Sequence, residues 1–232
     1  MIKTEQIVRT FRTEEVKTVA LNGVSMEVKA GEFVAIMGPS GCGKSTLLKI
    51  LSGAISPSHG KITYAGDNPL SNSKYFAAHI GYVPQENPLF GNLTVLDNLK
   101  LWYCDSRHNL KDDIENGLIA EFGLNKYLKE KVSHLSGGMK KRLSIACALS
   151  KDPEILILDE PGASLDIIAK NDIIKYMKKY IAEGGTILIA SHEEGELSVC
   201  NRKYLMQDGT LVETDPSLSI TAIMERMVKN NA

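Results

Sequence analysis

The run Gly38-Pro39-Ser40-Gly41-Cys42-Gly43-Lys44-Ser45 constrains this chain more than any other part of it. It follows the pattern GxxxxGK[ST], between an apolar segment, Phe33–Met37, and a helical one, Ser45–Leu51. A strand that turns through glycines into a helix aims successive backbone N–H groups inward, beside the positive end of the helix dipole. The result is a cradle for phosphate, and it requires the strand and helix of an α/β fold. Ser40, Gly41, Cys42 and Gly43 line the cradle, with Cys42 read as a small space-filling residue. Lys44 can reach β- and γ-phosphates, the Ser45 hydroxyl suits Mg²⁺, and Thr46 adjoins the α-phosphate.

The rest of the chain agrees with an α/β sheet. Ile155–Leu158 and Thr186–Ala190 are short apolar runs bounded by Gly, Pro, Asp or Ser, and read as buried parallel strands. The stretch Ile167–Ile181 is helical in spacing, so strand followed by helix recurs. Val19 to Val28 alternates and reads as half-exposed. From about Asn92 to Leu149 the pattern changes: β-branched runs are few, Leu93, Leu96, Leu99 and Trp102 recur every three residues, and Leu118, Phe122 and Leu124 continue the trend. We read a helical lobe, residues 88–150 or so, inserted between strands. Near the end, Ile220, Ile223, Met224, Met227 and Val228 mark one face of a short helix, in a docking segment spanning 210–232.

Size and composition exclude other classes. A chain of 232 residues suffices for one α/β domain with a core that does not depend on disulfides. The net charge of -1 gives no field toward nucleic acid or acidic lipid, and no nucleic-acid partner is expected. Cys42, Cys104, Cys147 and Cys200 form no CxxC pair, which suits reduced thiols in the cytoplasm. The sequence contains neither an apolar signal core nor a run long enough to span a membrane.

The strand Ile155–Leu158 runs into Asp159 and Glu160. Parallel strands deliver their C-terminal residues to the crevice where open α/β sheets bind ligands. Asp159 is placed to hold Mg²⁺ and Glu160 to orient or deprotonate an attacking water. Alone, two acids before Pro161 read equally well as a turn.

Leu135-Ser136-Gly137-Gly138-Met139, followed by Lys140-Lys141-Arg142, resembles the LSGGQ signature of ABC ATPases, and Ser136 stands 23 residues before Asp159. Gln85, in Tyr82-Val83-Pro84-Gln85, is similar to the family's Q-loop; Ala163-Ser164-Leu165-Asp166 to its D-loop; His192, after Ile189-Ala190-Ser191, to its switch histidine. Each has a plainer reading alone: Ser136 a helix cap, Gln85 a surface residue, His192 a core residue. Their order along nearly the whole chain carries the resemblance. Met139 departs from the usual Gln, Gly162-Ala163-Ser164 from the usual Thr-Ser-Ala, and Asn201 stands where Asp is common.

The resemblance implies a P-loop NTPase of ABC architecture: a mixed-sheet, RecA-like core, an N-terminal antiparallel β-subdomain and an inserted helical subdomain. It implies ATP and Mg²⁺ as cofactors, with Ser45, Gln85 and Asp159 at the metal and Lys44, Gln85, Glu160 and His192 in catalysis. Two cassettes, identical or different, would sandwich ATP head to tail, so that Ser136, Gly137 and Gly138 of one meet the γ-phosphate held by the other, beside Asp166. Phe11 reads either as the aromatic that stacks on adenine or as a core residue of the β-subdomain. A separate membrane permease would hold the protein at the inner face of the cell membrane. Residues 9 to 51 resemble ATPases of lipoprotein-release and macrolide exporters, while the part from Gly81 onward resembles multidrug-type exporters, as a divergent member or a chimera would. Both suggest export. A non-transport ABC ATPase is the alternative.

Overall fold

The computed structural model describes residues 1–12, 17–68, 73–106 and 108–215. The apolar face at Ile220–Val228, and with it most of the 210–232 segment, lies outside the described residues. The elements in chain order are β1 (Ile2–Arg12), β2 (Lys17–Val28), β3 (Phe33–Met37), α1 (Lys44–Leu51), β4 (His59–Tyr64), α2 (Ser73–His79) and β5 (Ile80–Val83). They continue with α3 (Val95–Tyr103), α4 (Leu110–Glu115), α5 (Leu118–Glu121), α6 (Gly137–Leu149), β6 (Ile155–Asp159), α7 (Ile167–Ala182), β7 (Thr186–Ala190), α8 (Glu194–Leu197), β8 (Arg202–Gln207) and β9 (Thr210–Thr214).

Among the described residues the strands form two sheets. The larger has the order β5-β6-β7-β3-β8-β9, with only β9 antiparallel to its neighbour. Its central strands are buried at every position because both faces are covered. Alternate residues feed two cores. Phe33, Ala35, Leu156, Leu158, Ile187 and Ile189 face α6, α7 and the helices between β5 and β6. Val34, Ile36, Ile155, Ile157, Leu188 and Ala190 face α1 and the smaller sheet, β2-β1-β4, which is antiparallel.

The half-exposed alternation expected at Val19 to Val28 appears in β2, whose inward positions Leu21, Val24, Met26 and Val28 are buried. The three-residue leucine pattern runs slightly past its helix. Thr94 caps α3 by accepting from the Asp97 N–H at 3.1 Å, which leaves Leu93 outside and exposed. After α5 the helical trend breaks at Gly123, in the left-handed region at φ 68°, and Leu124–Tyr127 is a 3₁₀ turn. No helix among the described residues is long and apolar enough to cross a membrane.

Candidate active site

Strand register assembles the site. Ile36 of β3 pairs Ala190 of β7, Asp159 of β6 also pairs Ala190, and Val83 of β5 pairs Leu158. These four parallel strands therefore end side by side, and their outgoing loops form a row: Gly38–Gly43, then Ser191–His192, then Glu160, then Pro84–Gln85. The crevice expected at the C-terminal ends of an α/β sheet is this row.

The phosphate loop turns on Gly38, Gly41 and Gly43, all at positive φ. At Gly43 a Cβ would lie 2.5 Å from the Ala20 carbonyl oxygen, so a side chain is excluded by β2 as well as by φ. Helix α1 starts at once with no side-chain cap, and the first intrahelical bond is donated by Leu47 to Gly43 at 2.9 Å. No N-cap side chain occupies its leading N–H groups, so an anion can take that place. Lys44 is buried, and its Nζ donates to the carbonyls of Gly38 at 2.8 Å and Pro39 at 3.0 Å, holding the ammonium across the cradle. Cys42 is buried and packs beside Gly38, as a space-filling residue would.

Asp159 is 1% exposed, and its Oδ1 has no hydrogen-bond partner. Burial raises its carboxyl above the usual range; the Ser45 hydroxyl offsets part of this, and neighbouring Glu160 adds to it. A buried carboxylate with one oxygen unpartnered and a hydroxyl at its side fits a divalent cation. Glu160 sits in the left-handed region at φ 47°, a strained conformation of the kind held at functional sites. Its N–H donates to the Ala190 carbonyl at 2.9 Å, and its Oε2 accepts from Gln85 Nε2 at 3.2 Å. His192 is exposed on the loop after β7, which rules out a core role.

The remaining residues lie elsewhere. Phe11 is 41% exposed, under the Arg9 guanidinium at 4.7 Å, and pairs Thr18 two positions from Ala20, which abuts the phosphate loop. It is a rim residue, not a core one. Ser136 caps α6, accepting from the Met139 N–H at 3.2 Å, and is exposed. Its helix packs on β5, three strand spacings from β3, or about 14 Å at 4.8 Å each. Gly137 is exposed with room for a side chain, whereas a Cβ on buried Gly138 would lie 2.8 Å from that of Ala169 on α7. Asp166 caps α7 through the Ala169 N–H at 2.8 Å.

Two buried charges beside the site escaped the sequence reading. Lys141 is 3% exposed and donates to the carbonyls of Pro84 and Gln85. Glu196 is 2% exposed, accepts from the Ser191 hydroxyl, and closes against Gly162. A signal existed for the first: Gly138, Lys141, Ile145 and Ala148 follow one helical face.

The family model described as "ABC transporter" matches residues 21–163. An uncharacterized ABC transporter ATP-binding protein of Methanocaldococcus jannaschii, MJ1508, is 34% identical over 220 residues, covering 92% of this chain and 98% of its own. The spermidine/putrescine import ATP-binding protein PotA of Mycoplasma mycoides is 37% identical over 200 residues; 83% of this chain is covered, but only 56% of PotA. Among solved structures, the ATP-binding cassette MJ0796, in a dimeric post-hydrolysis state bound to ADP and Pi, superposes with a TM-score of 0.86 at 28% identity, covering 94% of this chain and all of that one. With the family model spanning more than half of its residues and an archaeal relative aligned along nearly all of them, the chain belongs to the ABC transporter family, as an ATP-binding cassette.

Proposed function

We propose that this cassette hydrolyses ATP to ADP and phosphate as a nucleotide-sandwich dimer, and couples the cycle to transport through a separate membrane permease. The observation that carries the hydrolysis reading is the junction at the end of β6. There Asp159, whose Oδ1 has no hydrogen-bond partner, adjoins Glu160, which is held at an unusual φ and reached by Gln85.

In this reading Lys44 leaves the Gly38 and Pro39 carbonyls for the β- and γ-phosphate oxygens, and the leading N–H groups of α1 bind their neighbours. Ser45, Asp159 and Gln85 would hold Mg²⁺, which when bound would supply positive charge to offset that of the phosphates. Glu160 orients the attacking water and accepts its proton. His192, one loop nearer β3, contacts the γ-phosphate. Phe11 stacks on adenine. The separation of α6 from β3 supports assigning Ser136, Gly137 and Gly138 to the partner's nucleotide, with Asp166 beside them. Gly137 favours this too, since nothing in its own subunit requires a glycine there.

The same reading divides the chain into a single domain with a helical lobe at about 88–150 and a docking segment at 210–232. It places the protein on the cytoplasmic face of a membrane. Phe90 supports a permease contact beside the Q-loop: the residue is 58% exposed while Asn98 pins its main chain on both sides, at 2.9 and 3.1 Å. Export is the proposed direction, on the resemblance of residues 9 to 51 to exporter ATPases, although PotA is named an importer.

Phosphate release by the wild-type chain and by Glu160→Gln tests the hydrolysis reading. The amide cannot take the proton, so turnover falls by about 10²–10⁴-fold while ATP is still bound. Normal turnover by Glu160→Gln would refute the base assignment. Copurification with a multi-span membrane protein separates a transporter subunit from a non-transport ATPase.

A further inference from the structure

Lysine is almost never fully buried without a partner, because taking its ammonium out of water is costly. Lys141, on the second turn of α6, is 3% exposed, and its Nζ donates to two main-chain carbonyls, Pro84 at 3.2 Å and Gln85 at 3.1 Å. Burial lowers its pKa, while Asp159 and Glu196 act the other way and favour the charged form. An apolar side chain of similar length would fill the space without that cost. What the ammonium adds is a grip on two successive carbonyls in the loop that leaves β5.

That grip fixes the root of one side chain. The φ of Pro84 is set by its ring, and the Gln85 carbonyl is tied to α6, so the Gln85 Cα is held from both sides. From there the side chain reaches Glu160, Nε2 to Oε2 at 3.2 Å. At the other end, Ser136 heads the same helix, five residues before Lys141 and about 7.5 Å along the axis. A single rigid helix thus joins the signature serine, through Lys141, to the pair Gln85 and Glu160.

We propose that Lys141 is a positioning residue. It transmits engagement of the α6 N-terminus by the partner's nucleotide to Gln85 in its own site, setting Gln85 against Glu160. This rests on the dimeric ATPase reading above. Lys141 does not touch substrate; it acts through Gln85.

The test is a double-mutant cycle on the full chain: wild type, Lys141→Met, Gln85→Ala and the pair, each measured for ATP affinity, kcat and KM. Lys141→Met should lower kcat by about 10- to 100-fold, the scale of small misplacements at a reacting centre, and leave ATP affinity within about twofold. The double variant should be no slower than the slower single, because both changes break one linkage. Lys141→Arg, which keeps charge and donors, should recover most of the loss. Additive losses, or a lower melting temperature with unchanged kcat, would overturn the proposal.

Hydrogen–deuterium exchange at the Gln85 and Glu86 amides, without nucleotide, reads the same link independently of turnover. Lys141→Met should exchange faster there, and unchanged exchange would overturn the proposal even if the wild-type chain released no phosphate. That last result would itself sink the ATPase reading, so the two failures are distinct. Should Lys141→Met not fold, Lys141→Gln, which is shorter and uncharged, is read by the same exchange and kcat criteria.

Discussion

The adjacent glycines at the head of α6 should respond oppositely to alanine. At Gly138 a new Cβ would sit 2.8 Å from the Ala169 Cβ, well inside the ~3.5–4.0 Å optimum for two carbons. Neither atom is the end of a flexible side chain, so α6 and α7 must part. Overpacking of this kind costs about 1–3 kcal/mol. The better helix propensity of alanine returns up to about 1 kcal/mol. The net loss lies within about 0–3 kcal/mol and centres on about 1.5 kcal/mol, so at about 2–4 °C per kcal/mol for a chain of this length the melting temperature should fall by roughly 3–6 °C. At Gly137 a Cβ would meet only Leu165 Cδ2, at an ordinary 3.7 Å, so Gly137→Ala should melt at or above the wild type. Melting both variants without nucleotide, side by side, measures the difference. With ATP the order should change: Gly137→Ala, stable as a monomer, should dimerise poorly, because its methyl faces the partner's phosphate. The reasoning fails if Gly138→Ala matches the wild type in stability, or if Gly137→Ala is the more damaged fold.

Two further predictions follow from the buried charges. Lys44→Ala removes charge-assisted bonds to phosphate worth about 1.5–3 kcal/mol, so affinity for a fluorescent ATP analogue should drop about 10- to 100-fold; unchanged affinity would remove Lys44 from the site. Burial raises the Glu196 carboxyl above its ordinary 4.5, so the folded state keeps this proton longer than the unfolded chain. Its contribution is then full below pH 4.5 and lost as pH rises through the folded value. Glu196→Gln does not titrate, so its melting-temperature advantage over the wild type should widen upward from pH 4.5; a constant difference would contradict the burial argument.

Local chemistry explains what the sequence made readable. The strands β3 and β7 were placed to the residue because covered strands are apolar throughout and end abruptly at Gly, Pro or Ser. The glycine loop was readable for the same reason, since its spacing is its mechanism. Other features depend on what lies opposite. Lys141 reads as a surface lysine until β5 is laid against α6. Glu196 reads as one acid among several until Ser191 and Gly162 close over it. The β8–β9 hairpin went unread although Asp208-Gly209 is a strong hairpin turn, both residues at positive φ. For Phe11 the pattern offered core and rim alike, because a residue near the end of a two-stranded pairing can face either way; the register and exposure decide for the rim.

The central claim is that the nucleotide held by one subunit is completed by Ser136 of another. Light scattering of Glu160→Gln with and without ATP tests it most directly, with Ser136→Arg added in a second protein. The account predicts a 25.4 kDa species without nucleotide and twice that mass with ATP. It also predicts that Glu160→Gln carrying Ser136→Arg binds ATP but stays at the monomer mass, because Ser136 heads a helix packed on β5, three strands from the one that leads into its own phosphate loop. A dimer that forms equally well with Ser136→Arg, or a monomer at all ATP concentrations despite bound nucleotide, would contradict it.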